Sequence, residues 1–130
     1  MENVEKLEKI CQKIIKLDPK IRSARLINSR GHLVAGGMKE GLLSLEDQNQ
    51  DEMMFMELSL RVRMRHEFDN EFGPVHFSMS YRDKVIIMSF PLANDDALLI
   101  SLEKEANFGK LPFKILKIIE SLRQTPMKTF

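Results

Sequence analysis

Apolar and polar positions along the chain change period several times, and each change marks an element. Val4, Leu7, Cys11 and Ile14 recur at spacings of three and four with Lys and Glu between them, which predicts an amphipathic helix ended by Asp18-Pro19. From Ile21 to Asn28 aliphatic and β-branched residues dominate. Ser29-Arg30-Gly31 then offers a turn, and Leu33-Val34-Ala35 resumes an extended run, so a hairpin is expected. Gly36, Gly37 and Gly41 break the regularity. Ser44 and Asp47 supply a capping signal ahead of a long helical pattern that runs to about Phe68.

The last third begins with strict alternation. Val75, Phe77, Met79 and Tyr81 interleave with His76, Ser78, Ser80 and Arg82, which predicts a half-buried strand with its apolar set on one face. Val85 to Phe90 and Ala97 to Leu102 are nearly continuous apolar runs, as in strands covered on both faces. Arg82-Asp83 and Asn94-Asp95-Asp96 provide turn residues. After Asn107-Phe108-Gly109, Pro112 suits a helix start, Ile115, Leu116, Ile119 and Leu122 form its buried stripe, and Thr125-Pro126 stops it. The order is helix, two strands, helix, three strands, helix. This α+β pattern predicts a five-stranded antiparallel sheet sandwiched between helices, in a single domain over residues 1–130.

The second helix carries two apolar stripes where a helix lying on a sheet needs one. At about 100° per residue, Met53, Met56, Leu60 and Met64 fall together, while Met54, Phe55, Leu58 and Val62 fall on nearly the opposite side. One stripe packs on the sheet. The other is to be covered by a loop, by another helix of the chain, or by another protein. The period establishes two faces without saying which one meets the sheet.

Charge and candidate chemistry narrow the function classes. Twenty basic against nineteen acidic side chains give a formal charge of +1, too little for a broad field that holds nucleic acid or an anionic membrane. Arg61, Arg63 and Arg65 in "RVRMRHE" do not form one continuous basic stripe, and acidic residues lie close by. No apolar run reaches the roughly 18 residues of a membrane span, and the N-terminus has no apolar export signal. A single cysteine can form no internal disulfide, so a cytoplasmic location is expected.

Catalytic and metal-binding readings find little support. His32, His66 and His76 have no metal-ligand partner at a recognised spacing. His32 reads as a turn residue and His66 as a helix-surface residue. His76 shares a strand face with Ser78 and Ser80, yet no nucleophile-elbow motif is present, and alternation alone generates such a row. Cys11 reads as a buried, inert thiol, although Lys9 and Lys13 would lower its pKa were it exposed. "FGKLP" lacks the glycine and hydroxyl residues of a phosphate loop, and Asn94-Asp95-Asp96 lacks the spacing of a calcium loop. No catalytic residue, cofactor or metal is expected.

The element order, together with "ARLINSRGHLVAGG" in the first hairpin, resembles the roadblock/dynein light chain family, a branch of the profilin-like and longin folds, over almost the whole chain. Asn28 and Gly31 occupy the Asn/Asp and Gly places of that family's hairpin turn, and "GMKEGLLSLEDQNQ" is a longer connection than the family's usual one. More narrowly, "DPKIRSARLINSRGHLVAGGMKEG" and "RVRMRHEFDNEFGPVHFSMSYRDKVIIMSFPL" are similar to uncharacterised proteins of ammonia-oxidising archaea. The roadblock resemblance implies a homodimer in which the second helices pack together and the third strands extend the sheet. On that basis Met54, Phe55, Leu58 and Val62 of the helix and Val75, Phe77, Met79 and Tyr81 of the strand are expected at the dimer interface. It further implies a non-enzymatic regulatory or scaffold module that binds a small Ras-like GTPase or another signalling protein. The alternative is a small-molecule sensor, since profilin-like sheets also occur in ligand-sensing domains and the Phe- and Met-rich interior could open a pocket.

Overall fold

The computed structural model describes residues 2–127. Helix α1 (Glu2–Ile15) leads into strands β1 (Ile21–Ile27) and β2 (Leu33–Met38). Helix α2 (Gln48–Arg65) follows, continued by a 3-10 turn (His66–Phe68) and a short helix α3 (Asp69–Phe72). Strands β3 (Ser78–Tyr81), β4 (Ile86–Pro91) and β5 (Ala97–Leu102) come next, and α4 (Leu111–Ile118) and α5 (Glu120–Gln124) close the chain. The five strands form one antiparallel sheet in the order β2-β1-β5-β4-β3. The α+β sandwich is thus the one read from the sequence, with β2 and β3 at the edges.

The two faces of the sheet are unequal. One carries the larger core, in which Leu26, Met88, Phe90, Leu98 and Ile100 meet Leu7, Cys11 and Ile14 of α1 and Ile115 of α4. The other carries a smaller cluster, where Ile27, Ala97 and Leu99 meet Phe55, Leu58 and Val62 of α2. Because successive strand residues face opposite ways, the near-continuous apolar run of β5 supplies both cores, as a central strand must.

Local chemistry fixes the element ends. Asp47 caps α2: its carboxylate accepts from Gln50 N at 2.8 Å while the Gln50 side chain accepts from Asp47 N at 3.0 Å. In the first hairpin the Asn28 side chain accepts from Arg30 N and His32 N, which shapes the turn through Gly31. Gly31 has φ +81°, and a Cβ there would lie 2.7 Å from Met56 Sδ, so the turn is pressed against α2.

Two boundaries differ from the sequence expectation. The third strand begins at Ser78, and Val75 and Phe77 precede the ladder. The register Ser78↔Ser89 sets position 76 opposite Pro91, which has no N–H to donate, and Pro74 removes another donor, so pairing stops short. Met79 and Tyr81 lie on the α1/α4 side as the alternation requires, opposite Met88 and Ile86, but both are exposed because they sit on an edge strand. The closing helix divides at Ile119, which leaves the helical region at φ −98° and ψ 10°.

Candidate functional site

Helix α2 sits on the sheet through the stripe that was expected to meet a partner. Leu58 is fully enclosed, and Phe55 and Val62 are buried with it against Ile27, Ala97 and Leu99; Met54 is half-buried beside them. The assignment of Met54, Phe55, Leu58 and Val62 to a dimer interface is therefore corrected: this stripe is core. The physical reason is shape, since a phenyl ring and a β-branched Val fill the rigid gap between a helix and a pleated sheet better than unbranched methionines.

The opposite stripe faces outward. Met53 and Met64 are each 71 % exposed, Leu60 56 % and Met56 51 %. Past the end of α2, Phe68 and Phe72 are exposed as well, with their rings stacked at 5.8 Å. The long connection before α2 does not cover it. That segment is tied to the sheet instead, with Arg22 Nη2 on the Leu43 carbonyl at 3.5 Å and Arg25 on Glu46. Its own Leu43 and Leu45 are exposed.

Polar contacts hold the helix rigid beneath the stripe. Ser59 Oγ donates to the Ser29 carbonyl at 2.7 Å, and Arg63 donates to the same oxygen. Arg25, buried in the middle of β1, bonds Asp51 at 3.1 Å and Glu46 at 3.3 Å and lies over the Phe55 ring. Burial and the hydrogen bond shared with Glu46 push the Asp51 carboxyl up to about 6. Burial also raises Glu46, but hydrogen bonds from Asp51 and Arg25 bring it below the usual carboxylate value. One guanidinium thus serves two carboxylates, and the cluster fastens the start of α2 to the sheet. A buried arginine inside an apolar strand has no signal in the pattern, because both of its partners lie in the segment beyond β2.

The other residues singled out in the sequence fall at separate places. Met79 and Tyr81 are exposed on edge strand β3; Tyr81 meets the Phe108 ring and lies under the Lys104 ammonium at 3.6 Å. Phe77 is half-buried between Phe90 and Phe113, and Val75 lines a cavity at the end of α2. His76 accepts a hydrogen bond from Arg123, and among the described residues no bond joins it to Ser78 or Ser80. His66 bonds Asp69 at 2.7 Å and Asp95 at 2.8 Å, while Asp96 accepts from Ser29 N at 2.9 Å. The Asn94-Asp95-Asp96 turn therefore staples α2 and the first hairpin to the end of β4. Cys11 is enclosed, and burial, with the Glu8 charge second, pushes its thiol up to about 12. Among the described residues, no group of three His, Cys, Asp or Glu side chains could hold a metal ion, and no helix is long and apolar enough to cross a membrane. The surface with the most unspent binding energy is the Met/Leu/Phe stripe of α2 and α3, with the edge strand β3.

Residues 1–125 match the model of a family described as a family of unknown function, DUF6659. No curated protein matches the sequence. The fold is similar to that of the gliding protein MglB from Thermus thermophilus, with a TM-score of 0.76 at 10 % identity, covering 94 % of this chain and 89 % of that one. It is similar to MglB of Myxococcus xanthus (TM-score 0.70, 12 % identity, 92 % and 93 % covered). A Roadblock/LC7 domain from Streptomyces avermitilis is also similar (TM-score 0.68, 17 % identity, 90 % and 94 % covered). At such identities the likeness is one of fold, and the fold is that of the roadblock/LC7 proteins.

Proposed function

We propose that this chain, which belongs to the DUF6659 family of unknown function, acts as a non-enzymatic homodimeric regulatory or scaffold module. The observation that carries the reading is the outward apolar stripe of α2, which the chain's own described residues leave in water. Two copies meeting through Met53, Met56, Leu60 and Met64 would cover it, with symmetric stripes crossing at a two-fold axis. The methionines suit such a contact, since their unbranched side chains adapt to one another. Strand β3, through Met79 and Tyr81, would pair with its symmetry mate in the same contact, which removes an open sheet edge.

The dimer would be a platform for a signalling protein in the cytoplasm, with residues 1–130 acting as one domain. The resemblance to roadblock/dynein light chain proteins supports a small Ras-like GTPase as the partner. The resemblance to proteins of ammonia-oxidising archaea directs the search to the GTPases of such genomes. The test is a binding panel of purified small Ras-like GTPases, each loaded with GDP or with a non-hydrolysable GTP analogue, against the full chain. A nucleotide-dependent complex that Leu60→Glu abolishes supports the reading. Failure of every member of the panel to bind removes the GTPase, and a chain that stays monomeric removes the platform.

A further inference from the structure

A cavity of about 360 Å³ opens where the end of α2, the segment leading into β3, the end of β4 and α5 converge. Its size is that of small-molecule sites, which run from roughly 300 to 1,000 Å³. Part of its wall is apolar: Val62, Val75, Pro91 and Leu92. The rest is charged, and the charges are unevenly satisfied. Asp69 is engaged by His66, whose other ring nitrogen bonds Asp95. Arg65 lines the cavity with no carboxylate within ion-pair distance among the described residues, and its Nη1 is enclosed without a hydrogen-bond partner. Arg123 lines it from α5, and its described hydrogen bond goes to the Nδ1 of His76, an imidazole nitrogen and not a carboxylate.

An enclosed guanidinium nitrogen without an acceptor is costly, and burial together with the nearby Arg61 charge lowers the pKa of Arg65. Arg65, with this open nitrogen, and Arg123, held only by His76, bring two guanidinium forks to one cavity and form a receptor for a planar or tetrahedral oxyanion, the geometry that arginine recognises best. The acidic groups in the wall are Asp69, which His66 engages, and Glu120, which lies in the first turn of α5 and forms no ion pair with Arg123 among the described residues.

From this geometry we infer that the cavity binds a small organic anion, a carboxylate or phosphate on a short apolar body, with the anion held by Arg65 and Arg123 and the body against Val62, Val75 and Leu92. The inference stands apart from the dimer reading, since none of these side chains belongs to the outward stripe of α2. It deepens the sensor alternative by giving it a site and a ligand class.

The test is a titration of the full chain with hexanoate, monohexyl phosphate and hexanol, followed in amide and arginine side-chain NMR signals. The inference predicts saturable shifts at Arg65, Arg123 and the apolar wall with at least one of the anions and none with hexanol. The stronger anion identifies the headgroup. Arg65→Gln and Arg123→Gln should each weaken binding roughly tenfold, the loss of one charge-assisted pair, and Glu120→Gln should tighten it. Arg123 is only half-buried and sits in the last turn of the short α5, so its variant reports on the site even if Arg65→Gln unfolds. The inference is overturned if neither anion gives saturable shifts at millimolar concentration, if hexanol binds equally well, or if affinity is unchanged in Arg123→Gln.

Discussion

Substituting glutamate on either side of α2 separates a core stripe from an interface stripe, because Leu58 and Leu60 are two residues apart and face opposite ways. Leu58 is fully enclosed among Phe55, Val62 and Leu99. Leu58→Glu removes its packing, about 2–5 kcal/mol for a large-to-small change in a core, and leaves an unpaired carboxylate where a buried charge costs about 3–5 kcal/mol. The total approaches the roughly 5–15 kcal/mol that holds a domain of this size together. Leu58→Glu should therefore not fold at ambient temperature. Leu60 is 56 % exposed, so Leu60→Glu should shift monomer stability by no more than about 0.5 kcal/mol. In the dimer, burying the remaining half of each Leu60 is worth about 1 kcal/mol, hence about 2 kcal/mol for the pair. Two carboxylates facing each other near the axis at least double that cost to about 4 kcal/mol, so association should weaken by about 1,000-fold or more. Circular dichroism melts with light scattering over a concentration series read both quantities. A normally folded Leu58→Glu, or a Leu60→Glu that dimerises like the parent, would refute the orientation of α2 or its role.

Other consequences follow from single sites. Gly36 has φ +89°, and a Cβ there would lie 2.0 Å from the Ala24 carbonyl oxygen and 2.8 Å from Cys11 Sγ. Gly36→Ala should therefore cost more than about 2 kcal/mol in urea unfolding, whereas Gly37→Ala, with nothing within 4 Å, should cost little. Cys11 should resist a thiol reagent at mildly alkaline pH and react only on unfolding, because its pKa is pushed up to about 12. Hydrogen bonds to Asp69 and then Asp95 raise the His66 pKa. A raised folded-state pKa means the stabilisation is complete below about 6.5, the unfolded value, and is lost as pH rises through the folded value. The difference in melting midpoint between the parent and His66→Gln should shrink accordingly from about pH 5 to about pH 9.

What the sequence disclosed was mainly periodicity. The alternating and 3.6-residue patterns carried the element order and even the doubled stripe of α2, since both depend only on which positions are apolar. They could not orient the stripes. Met53-Met56-Leu60-Met64 and Met54-Phe55-Leu58-Val62 are similarly apolar, and only the Phe and β-branched Val of the second mark it as the rigid, sheet-facing side. Features built from distant segments were invisible for another reason. Arg25 finds Glu46 and Asp51 across the connection after β2, and His66 finds Asp95 across the β3–β4 hairpin. The cavity between Arg65 and Arg123 exists only once α2 and α5 are brought together. Strand β3 is shorter than its alternation implies, because the apolar/polar pattern from Val75 to Tyr81 continues where the ladder, limited by Pro74 and Pro91, does not.

A dimeric platform requires that the outward stripe of α2 be covered by a second copy, and the mass of the unmodified chain in solution tests this most directly. Light scattering coupled to gel filtration, from low micromolar to about 100 µM, the range in which Kd values near 1 µM (about −8 kcal/mol) are resolved, should give twice the 15.1 kDa of one chain. A mass of 15.1 kDa throughout that range would contradict it.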